Sequence, residues 1–439
     1  MIRRPSSSSV RAFVLVWICA ATACGGGGGG QAGPGPTPPQ PPVAGPEIVI
    51  QTEGIADVAA IAAAVNGTVI DQFGRRPIWQ IRLPAGSDAQ LAANTLTARA
   101  DVRYAEPNAA TESPESTRNS VWLIGGDAGT YVAQWAPTTL NLADAHAAVG
   151  LGDGVRIAIL DTGVDLDHPA LVDRIALRNN GSVLGRDFVD DDEHASESGS
   201  RNDLGWGHGT HVAGLAALVA PGARIMPIRV LDRGGRGNAW VLAEALAWSV
   251  DPDGDPISDD GAHIVNLSLG TTRATRLLAT ATLLASCSFD DDDDSEFDDA
   301  GFDDDRARCQ FGHGAAVLAA AGNDGDDQIK IYPAAEEAKG TRAIAATTAD
   351  QRLAAFSNLA VGSSLLHPAP KSSVRCRMTP GVPGRAPRWH HHSPPAPLHW
   401  CSPQQRRILV PVQPDFVNGS PKTCSNASRT APKRCAVPR

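Results

Sequence analysis

The chain has 439 residues, enough for two or three domains, and a formal net charge of −10. The charge is unevenly distributed, because residues 359–439 hold twelve Lys and Arg against a single acidic residue, Asp415. The rest of the chain is strongly acidic, which argues against nucleic acid as a partner.

The first 24 residues have the pattern of a secretory signal, with two arginines before a short apolar run. That run is too short to span a membrane as a mature helix. The small residues before Cys24 resemble a bacterial lipoprotein cleavage box, although Ala21 stands where that pattern prefers Leu. An ordinary signal peptide is the alternative. Residues 25–46 are rich in Gly and Pro, which predicts a linker between a lipid anchor at Cys24 and the folded domains.

Residues 47–110 show the patterns of a small α+β domain. The predicted order is strand, helix, strand, strand, helix, strand, which is typical of a ferredoxin-like arrangement. The predicted strands are 48–50, 68–70, 77–83 and 102–104, and the predicted helices are 56–65 and 89–98. Residues 111–120 follow; they are polar and without periodicity, so we expect an exposed linker in which processing would occur.

Residues 120–358 alternate between short apolar strands and helices, which predicts an α/β fold with a doubly wound parallel sheet. The predicted strands are 155–160, 224–230, 264–268, 316–320 and 342–347, and the predicted helices are 210–220, 238–249 and 272–286. Ligands of such sheets bind at the carboxyl ends of the strands, so polar residues directly after a strand are candidates for the site.

Three residues at such positions have chemistry in common. Asp161 follows one predicted strand, Asn323 follows another, and His208 lies among glycines at the start of an apolar helix. A buried carboxylate can orient an imidazole that acts as general base, and an amide can donate a hydrogen bond to an oxyanion. For His208 taken alone, a packed core histidine is the alternative.

The motifs Asp161-Thr162-Gly163, His208–Gly214 and Ala321-Gly322-Asn323, in this order, resemble the subtilisin-like serine peptidases, or subtilases. The resemblance implies hydrolysis of peptide bonds in proteins or peptides, with no required cofactor. Asp161 would orient His208, His208 would act as general base and then as general acid, and Asn323 would help to hold the oxyanion.

Two further features gain a meaning from this resemblance. Residues 102–108 resemble the end of a subtilase propeptide, so residues 47–110 would be an intramolecular inhibitor domain; a generic α+β domain is the alternative. Ser268, Leu269 and Gly270 match the edge at which subtilases pair with the backbone of an extended substrate. The glycine-rich residues 234–237 are in the place of the opposite edge.

Cys287 and Cys309 bracket an aspartate-rich insert. An oxidising compartment and a separation of 22 residues predict a disulfide between them. We expect the aspartates to be solvated and disordered, and calcium binding is the alternative. Ala170 stands where calcium-binding subtilases often have Asp, so that family calcium site is doubtful and no metal site is predicted.

The family pattern stops after Asn358. The motif Gly-Thr-Ser-x-Ala-x-Pro, which carries the serine nucleophile of subtilases, does not occur in the sequence. Residues 359–439 are instead basic, rich in Pro and without useful periodicity, and a shifted reading frame is the favoured explanation. The alternatives are a natural extension on a pseudo-enzyme, a displaced nucleophile at Ser363, Ser364 or Ser393, and a His/Cys metal module whose spacing matches no zinc pattern.

Two functions follow from these observations. The first is an exported subtilisin-like serine endopeptidase, located in a bacterial cell envelope or outside the cell, that is inactive in this chain because the nucleophile motif is absent. The second is a non-catalytic, peptide-binding surface lipoprotein. In both, the membrane is contacted only through a lipid at Cys24.

Overall fold

The computed structural model describes residues 45–54, 56–113, 116, 131, 133–288, 302–326, 328–335 and 341–358, and the backbone of 365–368. The predicted signal, the lipid anchor at Cys24, the proposed serines of the tail and nearly all of the basic tail lie outside these residues. In the described part, no helix is long and apolar enough to cross a membrane.

The N-terminal domain, residues 47–107, is a four-stranded antiparallel sheet with two helices. Its elements are β1 Glu47–Thr52, α1 Val58–Ala63, β2 Thr68–Gln72, β3 Ile78–Arg82, α2 Ala89–Thr97 and β4 Val102–Pro107. The strand order β2-β3-β1-β4 is that of a ferredoxin-like domain, as predicted. Ile48 and Ile50 face the helices of the domain itself, whereas Val49 packs into the core of the following body.

Residues 111–120 are not an exposed linker where the structure describes them, so that prediction was wrong. Strand β5, Ala110–Glu112, pairs antiparallel with β9, Arg236–Asn238, and Thr111 is 1% exposed. The polar groups of this segment are satisfied by backbone edges more than 120 residues away in the chain. Local polarity therefore misled the prediction, because the partners are distant in sequence.

The body, residues 120–358, is built on a parallel sheet. The described strands are β6 Arg156–Asp161, β7 Arg186–Asp187, β8 Arg224–Arg229, β10 Ile264–Leu267, β11 Ala316–Ala320, β12 Thr341–Thr347 and β13 Leu365–Pro368. Their order is β13-β12-β11-β10-β6-β8-β7, and each neighbouring pair is parallel. Strand β13 lies in the tail for which no strand was expected, since four residues are too few to give a periodic pattern.

Helices cover both faces of this sheet, which confirms the doubly wound fold. The described helices are α3 Ala136–Thr139, α4 Leu142–Val149, α5 His208–Val219, α6 Ala239–Val250, α7 Arg276–Ser286 and α8 Asp303–Gln310. Ile157 and Ile159 of β6 pack against α5, and the alternate residues Ala158 and Leu160 pack on the side of α6 and α7. Helix α7 starts at Arg276, later than predicted, because Thr275 Oγ1 caps it.

The predicted disulfide between Cys287 and Cys309 is present. The prediction for the aspartates between them was wrong at one end of the insert, because Asp303–Asp305 form the first turn of α8 and Asp305 is 6% exposed. Arg76 and Arg308 supply the positive charge that makes this burial possible. Residues 290–299 lie outside the described residues.

Candidate active site

Asp161 and His208 lie side by side at the carboxyl edge of the sheet. Asp161 ends β6 and is fully buried, while His208 begins α5 and is 7% exposed. His208 Nδ1 is 2.6 Å from Asp161 Oδ1. A carboxylate only accepts hydrogen bonds, so this pairing puts the proton of a neutral imidazole on Nδ1 and leaves Nε2 as the basic nitrogen.

Glycine makes this close approach possible. A Cβ on Gly209 would lie 2.1 Å from the carbonyl oxygen of Gly163 and 3.1 Å from Asp161 Cβ. The Gly209 N–H donates to Thr162 Oγ1 at 3.0 Å, and the Thr162 N–H donates to Asp161 Oδ1 at 2.7 Å. The first turn of α5 is therefore fixed to the end of β6 by contacts that a side chain would prevent.

Glu197 belongs to the same site and was missed by the sequence analysis. Its Oε1 accepts hydrogen bonds from the Thr210 N–H at 2.9 Å and from Thr210 Oγ1 at 2.8 Å. Gly207, the residue before α5, has no side chain with which to cap the helix, so Glu197 satisfies an N–H of the first turn. Burial, reinforced by the nearby charge of Asp161, raises the pKa of Glu197 to about 7. No local motif marks this residue, because only the tertiary fold brings it to α5.

Asn323 follows β11 at the same edge of the sheet, with β10 between β11 and β6. The loop around it is organised by Asn358, which is 1% exposed. Asn358 Oδ1 accepts from the Asp324 N–H at 2.8 Å, and Asn358 Nδ2 donates to Asp324 Oδ2 at 3.1 Å and to Ile329 O at 3.2 Å. In the sequence, Asn358 marks only the end of the family pattern, and no motif there predicts this contribution to the loop.

Ser268, Leu269 and Gly270 follow β10, between the two groups just described. Ser268 Oγ accepts a hydrogen bond from Asn266 Nδ2 at 2.9 Å, and Leu269 is fully buried in the core. Gly270 exchanges two backbone hydrogen bonds with Glu112, at 2.9 and 3.0 Å. Of the three predicted residues, Gly270 is the one whose backbone pairs with residues 110–113.

The glycine-rich loop before β9 forms a second backbone edge. The space between this edge, residues 235–238, and the edge at Gly270 is a groove. The Ser113 N–H donates to Gly235 O at 2.9 Å, and β5 continues the ladder along β9. Residues 110–113 thus lie extended between two backbone edges. The groove holds residues 110–113 through their main chain, a mode that is independent of most side chains.

One group of carboxylates in the described residues has the spacing to share a metal ion. The side-chain oxygens of Asp251, Asp253 and Asp260 lie within 4.8 Å of one another. The three residues belong neither to the cysteine-bracketed insert nor to the segment ending at Ala170, the two places considered from the sequence, although Asp251 interacts with Arg308 and Asp305 of the insert. Acidic groups of this kind are common without an ion, and we assign no metal to them.

Comparison with known families and proteins agrees with this geometry. The model of the Subtilase family matches residues 152–382, and the model of the Fervidolysin N-terminal prodomain matches residues 43–108. The crystal structure of fervidolysin from Fervidobacterium pennivorans aligns with 74% of this chain and 46% of its own, with a TM-score of 0.53 and 24% identity. That likeness shows the fold.

Curated relatives are similar over the same region. Halolysin of Haloferax mediterranei is 29% identical over 75% of this chain and 56% of its own length. The thermophilic serine proteinase of Bacillus sp. is 28% identical over 70% of this chain and 63% of its own. Subtilisin BL of Lederbergia lenta is 30% identical, and the match covers 71% of it. The chain spans less than two thirds of the first two relatives, yet the family model covers more than half of the chain. The chain belongs to the subtilase family.

Proposed function

We propose that this chain is the precursor of an exported subtilisin-like serine endopeptidase, and that the chain as written binds polypeptide in its groove without cleaving it. The observation that carries the proposal is the 2.6 Å contact between His208 Nδ1 and Asp161 Oδ1. It lies at the same sheet edge as a groove that holds residues 110–113 in extended conformation.

The residues have distinct roles in this proposal. Asp161 holds the imidazole in one tautomer, and with the family's serine in place His208 Nε2 would take its proton and later return it to the leaving amine. The charge that develops on His208 is stabilised by the buried carboxylate of Asp161. Asn323 donates a hydrogen bond to the oxyanion from a loop that Asn358 keeps in shape. Glu197 acts through Thr210, as a positioning residue for the helix that carries His208.

The groove defines the substrate class as extended polypeptide. Gly270 and Gly235 offer backbone acceptors and donors on its two sides, so affinity comes from main-chain pairing. Residues 110–113 occupy the groove as a substrate would, which supports an inhibitory role for the N-terminal domain in the uncut chain. Glu106 adds a second anchor, because its carboxylate accepts from the N–H groups of Arg276 and Leu277 at the start of α7, at 2.9 and 3.0 Å.

The missing part is the nucleophile. The sequence contains no Gly-Thr-Ser-x-Ala-x-Pro motif, and the serine and the base act as a unit in this family. We therefore propose that hydrolysis is absent in the chain as written. We propose that the family's sequence stops near residue 358 and that residues 359–439, of which β13 pairs with β12, are a frame-shifted tail.

A serine-reactive phosphonate probe tests the absence of a nucleophile in the full chain. We expect no covalent labelling. Labelling of a serine that is lost in the His208→Ala variant would identify an active nucleophile and overturn the inactivity of this chain.

A second measurement tests the groove. Glu112→Pro removes the N–H that pairs with Gly270 O, so the groove becomes accessible in that variant. We expect an added extended peptide to slow amide exchange in residues 235–238 and at Gly270 of the variant, and to have little effect on the unmodified chain. Equal exchange with and without peptide in the variant would exclude peptide binding here, and with it the alternative of a non-catalytic, peptide-binding lipoprotein.

Export and anchoring belong to the same proposal. Relatives include the minor extracellular protease Vpr of Bacillus subtilis and the halolysin-like extracellular serine protease Nep of Natrialba magadii. We propose that residues 1–24 direct export and that Cys24 carries lipid. Cys24→Ser is expected to move the protein from the membrane fraction to the soluble exported fraction. An unchanged distribution would exclude the anchor and leave export by an ordinary signal.

A further inference from the structure

The turn between β2 and β3 of the N-terminal domain reaches the body at Trp240 of α6, close to the groove edge β9 but outside the ladder that holds residues 110–113. Phe73, 1% exposed, packs edge-on against Trp240 of α6, with ring centroids 6.1 Å apart. The guanidinium of Arg76 lies over the Phe73 ring, 4.4 Å from its centroid. The turn is therefore rigidly packed where it presents Arg75 and Arg76 to the body.

Helix α8 receives these two arginines. Arg76 forms a fork with Asp305, in which Nε donates to Oδ2 at 2.9 Å and one terminal nitrogen donates to Oδ1 at 2.6 Å. The side chains are only 13% and 8% exposed. Arg75 pairs with Asp304 in the preceding position of the helix. Bidentate pairs between a guanidinium and a carboxylate are the strong and geometrically specific ones.

The disulfide holds α8 in the position that this contact requires. Arg308 is buried beside the bridge and donates to Cys287 Sγ at 3.4 Å, to His313 O at 2.9 Å and to Leu284 O. Its guanidinium is thereby committed to the neck of the insert and stays 3.9 Å from Asp305. Without Arg76, Asp305 would lose both of its short hydrogen bonds to a cation while remaining largely buried.

We propose that the disulfide-bridged helix α8 is a docking site for the Arg75-Arg76 turn of the chain's own N-terminal domain. The insert between Cys287 and Cys309 then recognises the inhibitor domain independently of the groove, through a pair of carboxylates that face a pair of guanidinium groups. The inference rests on the proposed inhibitory role of the N-terminal domain and specifies a surface for it. It also gives the disulfide a consequence beyond the body, because opening it releases the helix that holds the turn.

Amide hydrogen exchange of the full-length oxidised chain tests the docking site. Arg76→Gln and Asp305→Asn each remove one side of the fork, and we expect exchange in residues 68–82 to become at least about tenfold faster in each. The double variant is expected to exchange no faster than the more affected single variant, because both changes break one interaction. Arg76→Lys keeps the charge without the fork and is expected to lie in between.

Arg99→Gln is the matched control. Arg99 makes the same kind of fork with Asp101, at 2.8 and 2.7 Å, entirely within the N-terminal domain. We expect exchange in residues 68–82 to be unchanged in this variant. Residues 155–161 and 224–229 report on the folding of the body in every sample and are expected to keep their protection.

Reduction of the disulfide in the unmodified chain provides a measurement without any substitution. We expect the same acceleration in residues 68–82 while the body strands stay protected. Unchanged exchange in residues 68–82 after reduction and in both single variants would overturn the proposal. So would additive effects of the two substitutions, or an acceleration that extends equally to the body strands. Failure of the inhibitory role itself would be seen elsewhere, as unprotected residues 110–112 in the unmodified chain.

Discussion

Two inner strands of the central sheet, β6 and β11, hold the site residues that follow them in different ways. At β6, the pair of Asp161 and His208 is fixed by hydrogen bonds and glycine contacts made within residues 161–210. At β11, Asn323 lies in a loop whose hydrogen bonds converge on Asn358, 34 residues beyond its partner Asp324. The first arrangement is complete within one continuous segment, whereas the second depends on a residue at the very point where the family pattern stops.

This difference shows how a site can be half formed. The relay of carboxylate and imidazole needs nothing from residues after 358, so a changed tail leaves its geometry intact. The loop around Asn323 depends on Asn358, directly before that tail, and the nucleophile motif of the family would follow after it. Substitutions on each side test whether the Asp161–His208 pair and the loop around Asn323 are held independently.

Restoring the family sequence after Asn358 has the largest expected effect. If the site lacks only what the family carries after Asn358, a chain with Gly-Thr-Ser-x-Ala-x-Pro in a restored frame will hydrolyse casein. The chain with its present residues 359–439 will not. In subtilisin, loss of the serine lowers turnover by about 10⁶-fold, which sets the scale. We also expect a higher thermal transition, because a restored helix would cover apolar sheet surface.

Casein hydrolysis and thermal unfolding of the two chains, measured side by side, check this prediction. His208→Ala in the restored chain is the control and is expected to abolish the hydrolysis. Clear activity of the chain as written, removed by the same substitution, would mean that a nucleophile already exists in it.

Gly209→Ala tests the arrangement at β6, where Asp161 meets His208. The added Cβ would meet the backbone of Gly163 at 2.1 Å, and both elements are buried, so we expect a loss of about 3 kcal/mol or more in the free energy of unfolding. Gly214→Ala in the same helix is the control, because its nearest neighbour is Tyr131 at 3.7 Å. Alanine there is expected to stabilise by up to about 1 kcal/mol. Denaturant unfolding gives the free energy of unfolding of both variants. Equal changes in the two would contradict a close contact between Gly209 and the backbone of Gly163.

The sequence was most informative where structure is set by local pattern. The strand order of the N-terminal domain, the parallel sheet, the disulfide between Cys287 and Cys309 and the meeting of Asp161 with His208 could all be predicted. Periodicity, the rule that sites lie at strand ends, and the expectation of an oxidising compartment were sufficient for these. The family resemblance added the identity of the groove-forming Gly270.

The sequence was least informative where a polar segment finds a distant partner. Residues 111–113 look like a linker until the edges at 235–238 and Gly270 are in place. Asp305 looks solvated until Arg76, 229 positions away, is brought to it. Glu197 and Asn358 have no motif of their own, since their partners at Thr210, Asp324 and Ile329 are brought to them only by the tertiary fold. In each case the missing information is tertiary and electrostatic.

Asn358→Ala tests the loop around Asn323 in the present chain. The substitution removes the acceptor of the Asp324 N–H and the donor to Ile329 O, two part-buried hydrogen bonds that hold the loop. We expect residues 322–329 to lose about 2–3 kcal/mol of local stability, read as faster amide exchange. Ser357→Ala is the control, because Ser357 Oγ accepts from the Ala346 N–H in β12 and donates to Asn358 O, and neither bond involves the Asn358 side chain. Unchanged exchange in 322–329 would show that the loop is held by other contacts.

Glu197→Gln has the smallest expected effect. It tests the arrangement around Asp161 and His208 through the pH dependence of the free energy of unfolding. Burial raises the pKa of Glu197 from 4.5 to about 7, so the folded state holds a proton that the unfolded state has released. The stability that this carboxyl contributes is fully present below about pH 4.5 and is lost as the pH rises through about 7. A pKa rise of this size corresponds to at most about 3 kcal/mol, and partial solvation lowers the expected loss to about 2 kcal/mol. In the Gln variant this pH dependence disappears, because the amide stays neutral while its oxygen still accepts from Thr210.

The measurement is the unfolding free energy from about pH 5 to 8, with Asp101→Asn as control. Arg99 lowers the pKa of Asp101, so its titration lies below this window and the slope should be that of the unmodified chain. If the Glu197→Gln chain keeps the full slope, the proton is held elsewhere and the capping of the His208 helix by a neutral carboxyl is wrong.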